Sequence, residues 1–231
     1  MFELSTAEWT AILLSLRVAT VATLVATPLG IALAWLLARR EFWGKSVLDA
    51  AVHLPLVLPP VVTGYLLLLT FGRRGLVGAW LADHLGIVFA FRWTGAALAC
   101  GIMAFPLLVR PIRLSIEAVD RRLEQAAGTL GAAPWQVFAT VTLPLALPGV
   151  LAGMVLGFAK AIGEFGATIT FVSNIPGETQ TIPSAIYSLI QTPDGDTAAL
   201  RLVLVSIVIA LAALVGSEWF ARRATRRLHG N

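Results

Sequence analysis

Five stretches of this chain are long and apolar enough to cross a lipid bilayer, and they leave little else to fold. They fall near Thr10–Leu37, Val47–Phe71, Thr94–Ile112, Leu145–Val172 and Ala198–Phe220. A helix needs about 20 apolar residues to cross the hydrocarbon, so 231 residues hold about five spans plus their loops. No segment is left over for a soluble nucleotide-binding domain of ordinary size. Charged residues make up 13% of the chain, where soluble domains carry about 25%. The expected fold class is all-α: a polytopic membrane protein, residues 1–231 forming one transmembrane domain.

Two further segments bear on that count. The opening MFELSTAEW has no basic residue ahead of the first apolar run, so that run reads as a retained span rather than a cleaved signal. Ile182–Ile190 is apolar but too short to cross, and Pro183 lies at its start. It is expected as an interfacial or re-entrant piece within an outer loop, 173–197. The single cysteine, Cys100, lies in an apolar run and reads as a small buried hydrophobe.

Orientation follows from the placement of Lys and Arg, which favour the cytoplasmic side. With the N-terminus outside, the inner side holds Arg39, Arg40, Lys45, Arg110, Arg113, Arg121, Arg122, Arg222, Arg223, Arg226 and Arg227. The outer loops keep only Arg73, Arg74 and Arg92, with Arg17 and Arg201 near the outer ends of their spans. The expectation is a multi-pass protein of the cytoplasmic (inner) membrane, N-terminus out and C-terminus in. A net charge of +4 does not point to nucleic acid, because the basic residues flank spans rather than cover a soluble domain.

The same orientation puts the loop 113–144 in the cytoplasm. Asp120–Leu130 reads as a short polar-faced helix that Gly131 stops. Pro134 suits the first position of a second helix, which carries Trp135, Val137, Phe138 and Val141. That helix should end near Thr142, because Pro144 follows. Two short helices at an angle make a rigid knob with an apolar tip. Residue types alone leave two uses open for the knob: packing on its own bundle or docking a soluble partner.

Gln125, Ala126, Ala127, Gly131, Val141, Leu143 and Pro144 fall at the spacing E-A-A, three residues, Gly, nine residues, I-x-L-P. The loop therefore resembles the EAA loop of ABC importer permeases. Gln125 stands where that pattern has Glu, with Glu124 one residue earlier, and Val141 replaces Ile. The resemblance implies that Glu124, Gln125, Ala126, Ala127, Gly131, Val141, Leu143 and Pro144 dock a separate, soluble ATP-hydrolysing subunit. It leaves open which of positions 124 and 125 pairs with that subunit.

Over nearly its whole length the chain looks like the molybdate ABC transporter permease. The stretches that carry this are HLPLVLPPVVTGYLLL from His53, FGRRG from Phe71, LEQAAGTLGA from Leu123, and GEFGATITFVSNIPGETQTIPSAIYSLIQTP from Gly163. Permeases for sulfate, thiosulfate and tungstate share the EAA loop and parts of the second span, whereas the Gly163–Pro193 block argues for molybdate. The resemblance implies a homodimer around a central path and an extracytoplasmic molybdate-binding protein that delivers the tetrahedral dianion. ATP and Mg would sit on the partner ATPase, with no cofactor, metal or catalytic residue on this chain.

At membrane depth, Lys160 and Glu164 are four residues apart and so share one helical face. Ionisable residues there are rare and usually face a cavity or one another. They read either as a self-neutralising pair inside the bundle or as a Lys lending positive potential to an anion path. The second span holds Pro55, Pro59, Pro60 and Gly64, which implies a bent or partly unwound helix. It is either a plain kink or a bend beside the path, lined by Thr63 and Tyr65. Gly163, Gly166 and Thr168 either let helices approach closely or leave room for the ion. The candidate path set is Lys160, Glu164, Gly163, Thr168, Pro59, Pro60 and Thr63.

The sequence contains no G-x-x-x-x-G-K-[ST] phosphate cradle, and His53, His84 and His229 are scattered. The chain is therefore expected to hydrolyse nothing itself. Tungstate, nearly identical to molybdate in size and charge, or sulfate and thiosulfate are the alternative cargoes. A self-sufficient secondary transporter is the alternative class, but it predicts repeats with paired broken helices; only one Pro-broken span is visible.

Overall fold

Ser5 opens the first helix, α1 (Thr6–Arg39), with a capping box. Its hydroxyl accepts from the Glu8 N–H at 3.2 Å while the Glu8 carboxylate accepts from the Ser5 N–H at 2.6 Å. The computed structural model describes residues 4–228, with the side chains of Leu214 and of residues 217–228 outside the description. The tail arginines therefore lie beyond what can be described. At about 1.5 Å per residue, the 34 residues of α1 make a rod longer than the bilayer core.

The segment expected as a second span divides into α2 (Lys45–Val57) and α3 (Pro60–Phe71), turned by 115°. Pro59 and Pro60 follow one another at the corner. Two successive prolines remove two helix donors, and each pushes its predecessor to extended backbone; Leu58 has ψ 142° and Pro59 ψ 134°. After α3, an unforeseen short helix, α4 (Leu76–Leu85), runs to Gly86. Helix α5 (Trp93–Ala118) contains Pro106 and Pro111 and continues past Ile112, where the span was expected to stop.

The elbow follows: α6 (Arg121–Thr129), then α7 (Pro134–Val137), a π turn (Phe138–Thr142) and α8 (Leu143–Ile162). Here the structure corrects the sequence. The second elbow helix does not end near Thr142 but runs through the π turn into α8, so that Pro134–Ile162 is continuous. Proline breaks a helix because its ring lacks a donor and collides with the carbonyl four residues back. The wider turn relieves both problems: the Leu143 N–H bonds to the Phe138 carbonyl, and Pro144 falls in the first positions of α8.

The expected fourth span, Leu145–Val172, also proves discontinuous. Helix α8 ends at Ile162, and α9 (Gly166–Val172) restarts after Gly163, Glu164 and Phe165. Helix α10 (Ile182–Leu189) then packs against α1 and α11 (Asp196–Leu228). A hydrogen bond ties it to α1: the Ile182 N–H donates to Ser15 Oγ at 2.7 Å. Among the described residues, four helices are long and apolar enough to cross a membrane, five with the bent α2–α3 pair counted as one.

Helix α5 is the central post, flanked by α1 and α8. Small residues line these contacts: Ala96, Ala99, Cys100 and Ala104 of α5 join Ala19 and Ala22 of α1 and Ala161 of α8 in one core. In a bilayer, where lipid is as apolar as Leu, such close backbone approach is what drives helices together. A second core nearer the elbow joins Ala34 and Ala38 of α1 to Ile112 and Ile116 of α5 and Ala146 and Val150 of α8.

Charged side chains gather at the two ends of the bundle. At the elbow end Arg113 bridges Asp49 at 2.9 Å and Glu117 at 2.8 Å, tying α2 to α5. At the opposite end Arg201 of α11 meets Glu8 of α1 at 2.9 Å. The Arg17 guanidinium there lies 3.7 Å from the centre of the Trp93 ring, a cation–π contact.

Candidate functional site

The elbow is built from caps and one left-handed residue. Asp120 accepts the Arg122 N–H at 2.9 Å and starts α6. Gly131, with φ +90°, ends it, a conformation that only glycine adopts freely. The Ala132 N–H bonds back to the Ala127 carbonyl at 3.2 Å. The chain then turns, and Gln136 caps the start of α7 by accepting the Ala133 N–H at 2.8 Å.

The tip that results is apolar and open to solvent: Leu130 is 89% exposed, Trp135 70% and Leu123 51%. Leu123 lies in the first turn of α6, and Leu130 is the residue that caps its end. Of the motif positions, Gln125, Ala126 and Gly131 are exposed, while Ala127, Val141, Leu143 and Pro144 are half-buried. Glu124 points inward. Its Oε1 accepts from Arg39 Nε at 3.2 Å, Arg39 Nη2 at 2.9 Å and Thr142 Oγ1 at 2.6 Å. Sequence reasoning missed Arg39 and Thr142 as partners. The leucines at 123 and 130, seven apart with no other large apolar side chain between them, were the available signal for the tip.

At membrane depth the structure brings the candidate path residues to two adjoining breaks, that between α2 and α3 and that between α8 and α9. The contact between them is very close. A Cβ on Gly166 would stand 2.7 Å from Pro60 Cβ, and one on Gly64 2.9 Å from Ala167 Cα. Only glycine allows α3 and α9 to lie this near.

Lys160 and Glu164 do not share one helix, as their spacing had implied. Lys160 is in the last turn of α8, and Glu164 lies in the break beyond it. They nonetheless pair, Lys160 Nζ donating to Glu164 Oε2 at 2.7 Å. The other carboxylate oxygen accepts the Ala167 N–H at 3.0 Å, satisfying a donor that the start of α9 would leave free. Glu164 is the buried partner, its side chain 1% exposed against 29% for Lys160. The ammonium is the member that faces outward.

The remaining candidates divide. Thr168 is buried and spends its hydroxyl on the Phe165 carbonyl at 2.9 Å. Gly163 is exposed, as are Pro59 and Pro60. The Thr63 hydroxyl is buried with no hydrogen-bond partner. Cys100, absent from the candidate set, donates its thiol to the Ala161 carbonyl at 3.4 Å, which also accepts the Glu164 N–H at 3.3 Å in the break. Among the described residues no cluster of His, Cys, Asp or Glu fits a metal ion.

Helices of membrane-crossing length, two broken spans in contact and an elbow at one end describe a polytopic membrane protein. Residues 26–226 match the model of the binding-protein-dependent transport system inner membrane component, and the chain belongs to that family. It is 61% identical over 220 residues to the molybdenum transport system permease protein ModB of Escherichia coli K12, covering 95% of this chain and 96% of that one. The ModB of Haemophilus influenzae is 58% identical over 221 residues, covering 96% of each chain. Among solved structures, a bacterial ABC transporter that imports the acidic polysaccharide alginate superposes with a TM-score of 0.74 at 20% identity, over 95% of this chain and 80% of that one. That likeness speaks for the fold alone.

Proposed function

We propose that this chain is the transmembrane permease subunit of an ATP-driven importer that carries molybdate across the cytoplasmic membrane. The observation that carries the reading is identity of 61% to a molybdenum permease along almost the whole of both chains. An ATPase on a separate chain docks on the elbow through Leu123, Leu130 and Trp135 and the exposed motif residues Gln125, Ala126 and Gly131, with Glu124 turned inward away from that surface. Exposure of the two leucines and Trp135 in water is costly for a membrane protein unless a partner covers them.

A second copy of the chain completes the path. Val61, Val62, Tyr65, Leu66 and Leu69 of α3 are exposed beside both breaks. A homodimer would cover this face and enclose a channel between two Lys160–Glu164 pairs. A compensated Lys attracts a dianion without trapping it, as a path requires. The elbow end, rich in Arg and Lys, faces the cytoplasm, and the opposite end receives the ion from an extracytoplasmic binding protein.

Molybdate uptake in cells carrying the whole transporter, with and without Gly131→Pro, tests this reading. Proline cannot adopt φ +90°, so the elbow loses its corner while the spans still insert. Lost uptake with normal membrane insertion is the expected result; unchanged uptake contradicts it. Competition by tungstate and by sulfate then ranks the cargoes.

A further inference from the structure

The cytoplasmic end carries a cluster that binding to a partner does not explain. Arg39 is the last residue of α1, and its side chain is only 9% exposed. Its Nη2 donates both to the Val119 carbonyl at 3.1 Å, just past the end of α5, and to Glu124 on α6. Thr142, 1% exposed, adds the shortest bond to the same carboxylate oxygen from the π turn that leads into α8. The edge of the Phe138 ring also meets Trp35 of α1, with centroids 6.0 Å apart. One fork of charge thus joins the ends of α1 and α5, the elbow helix and the root of the fourth span.

We propose that Arg39, Glu124 and Thr142 form a latch, a set of positioning residues that makes the elbow and three spans move as one body. This deepens the permease reading and rests on it. Covalently, α6 reaches the continuous Pro134–Ile162 helix only through the short connection around Gly131, where a push from the ATPase can dissipate. The latch bypasses that connection. Because Glu124 faces inward, its task is transmission, and the neighbouring exposed residues do the docking. A charge-assisted hydrogen bond is short and directional, and the planar Arg fork bonds two elements at once where Lys would serve one.

The test uses the purified permease–ATPase complex in liposomes, with the binding protein supplied. Two quantities are read: the ATPase retained on the permease, and molybdate imported per ATP hydrolysed. Glu124→Gln is expected to keep the ATPase while lowering import per ATP roughly tenfold, within the range by which coupling residues act. Thr142→Val, which removes only a hydroxyl, should lower the ratio less, and Thr142→Ser should restore it. The Thr142 pair keeps the test decisive if Glu124→Gln fails to fold.

A wild-type ratio in both Glu124→Gln and Thr142→Val overturns the latch. Loss of the ATPase on Glu124→Gln also overturns it, because Glu124 would then be a docking residue. Failure of the unaltered permease to retain the ATPase would instead overturn the permease reading itself.

Discussion

At the elbow, the ties run between residues far apart in the chain. Arg39 and Glu124 are 85 residues apart, and Arg113 and Asp49 are 64 apart. At the breaks in the membrane the charged ties are local: Lys160, Glu164 and Ala167 lie within a few residues of one another, and only the weak Cys100 thiol bond to Ala161 comes from afar. Across the breaks, α3 and α9 touch through glycines. Long-range ties fuse separate helices into one rigid body. Local ties satisfy a break without fixing what lies on either side of it. On the proposed reading, the contrast assigns stiffness to the end on which the ATPase would push and freedom to the middle through which the ion would pass.

The strongest way to break this comparison is to remove the elbow's corner. Gly131→Pro places a residue locked near φ −65° where the backbone needs +90°, and it removes the N–H that bonds to the Gly128 carbonyl, a conflict of more than about 1 kcal/mol. Uptake should vanish while a membrane-fraction blot stays normal. Next comes the charge pair, which should respond asymmetrically. Lys160→Met strands the buried Glu164 carboxylate and should cost about 3–5 kcal/mol, read as a lowered melting temperature in detergent. Glu164→Gln strands only the more exposed ammonium and should cost less.

Closer packing should respond next. Gly166→Ala forces a methyl against Pro60 and should destabilise by about 1–3 kcal/mol, with uptake impaired and ATPase binding retained. Thr63→Val removes a buried hydroxyl that has no partner, so thermal stability should hold or rise by about 1 kcal/mol; uptake lost at unchanged stability would mean the hydroxyl meets the ion. The smallest effect belongs to Glu41, whose exposed carboxylate is held below its usual range by a hydrogen bond from Lys45. Glu41→Gln should alter neither uptake nor melting.

Much of the scaffold was legible in the sequence because lipid imposes a simple length rule. The apolar runs from Thr10, Thr94 and Ala198 became α1, α5 and α11, and Gly131 and Pro134 marked the elbow. What escaped depended on the third dimension. Gly163 and Gly166 flank the break, but isolated glycines are tolerated inside helices and no proline is there; the Lys160–Glu164–Ala167 bonding makes the break stable. Pro144 signalled a stop that the π turn absorbed. Glu124 looked outward by its place in a docking motif, and only folding brought Arg39 to it. The paired breaks in turn remove a contrast drawn from one visible Pro-broken span.

The most direct measurement is a pair of spin-label distances in the full complex in lipid, with and without ATP. One pair, Gln136→Cys with Leu156→Cys, lies along the continuous Pro134–Ile162 helix; at 1.5 Å per residue it spans about 30 Å. The other, Leu156→Cys with Ile175→Cys, straddles the α8–α9 break. A stiff lever with a yielding centre predicts that the first distance stays narrow and constant while the second shifts. A first distance that changes with ATP, beside a second that does not, would contradict it.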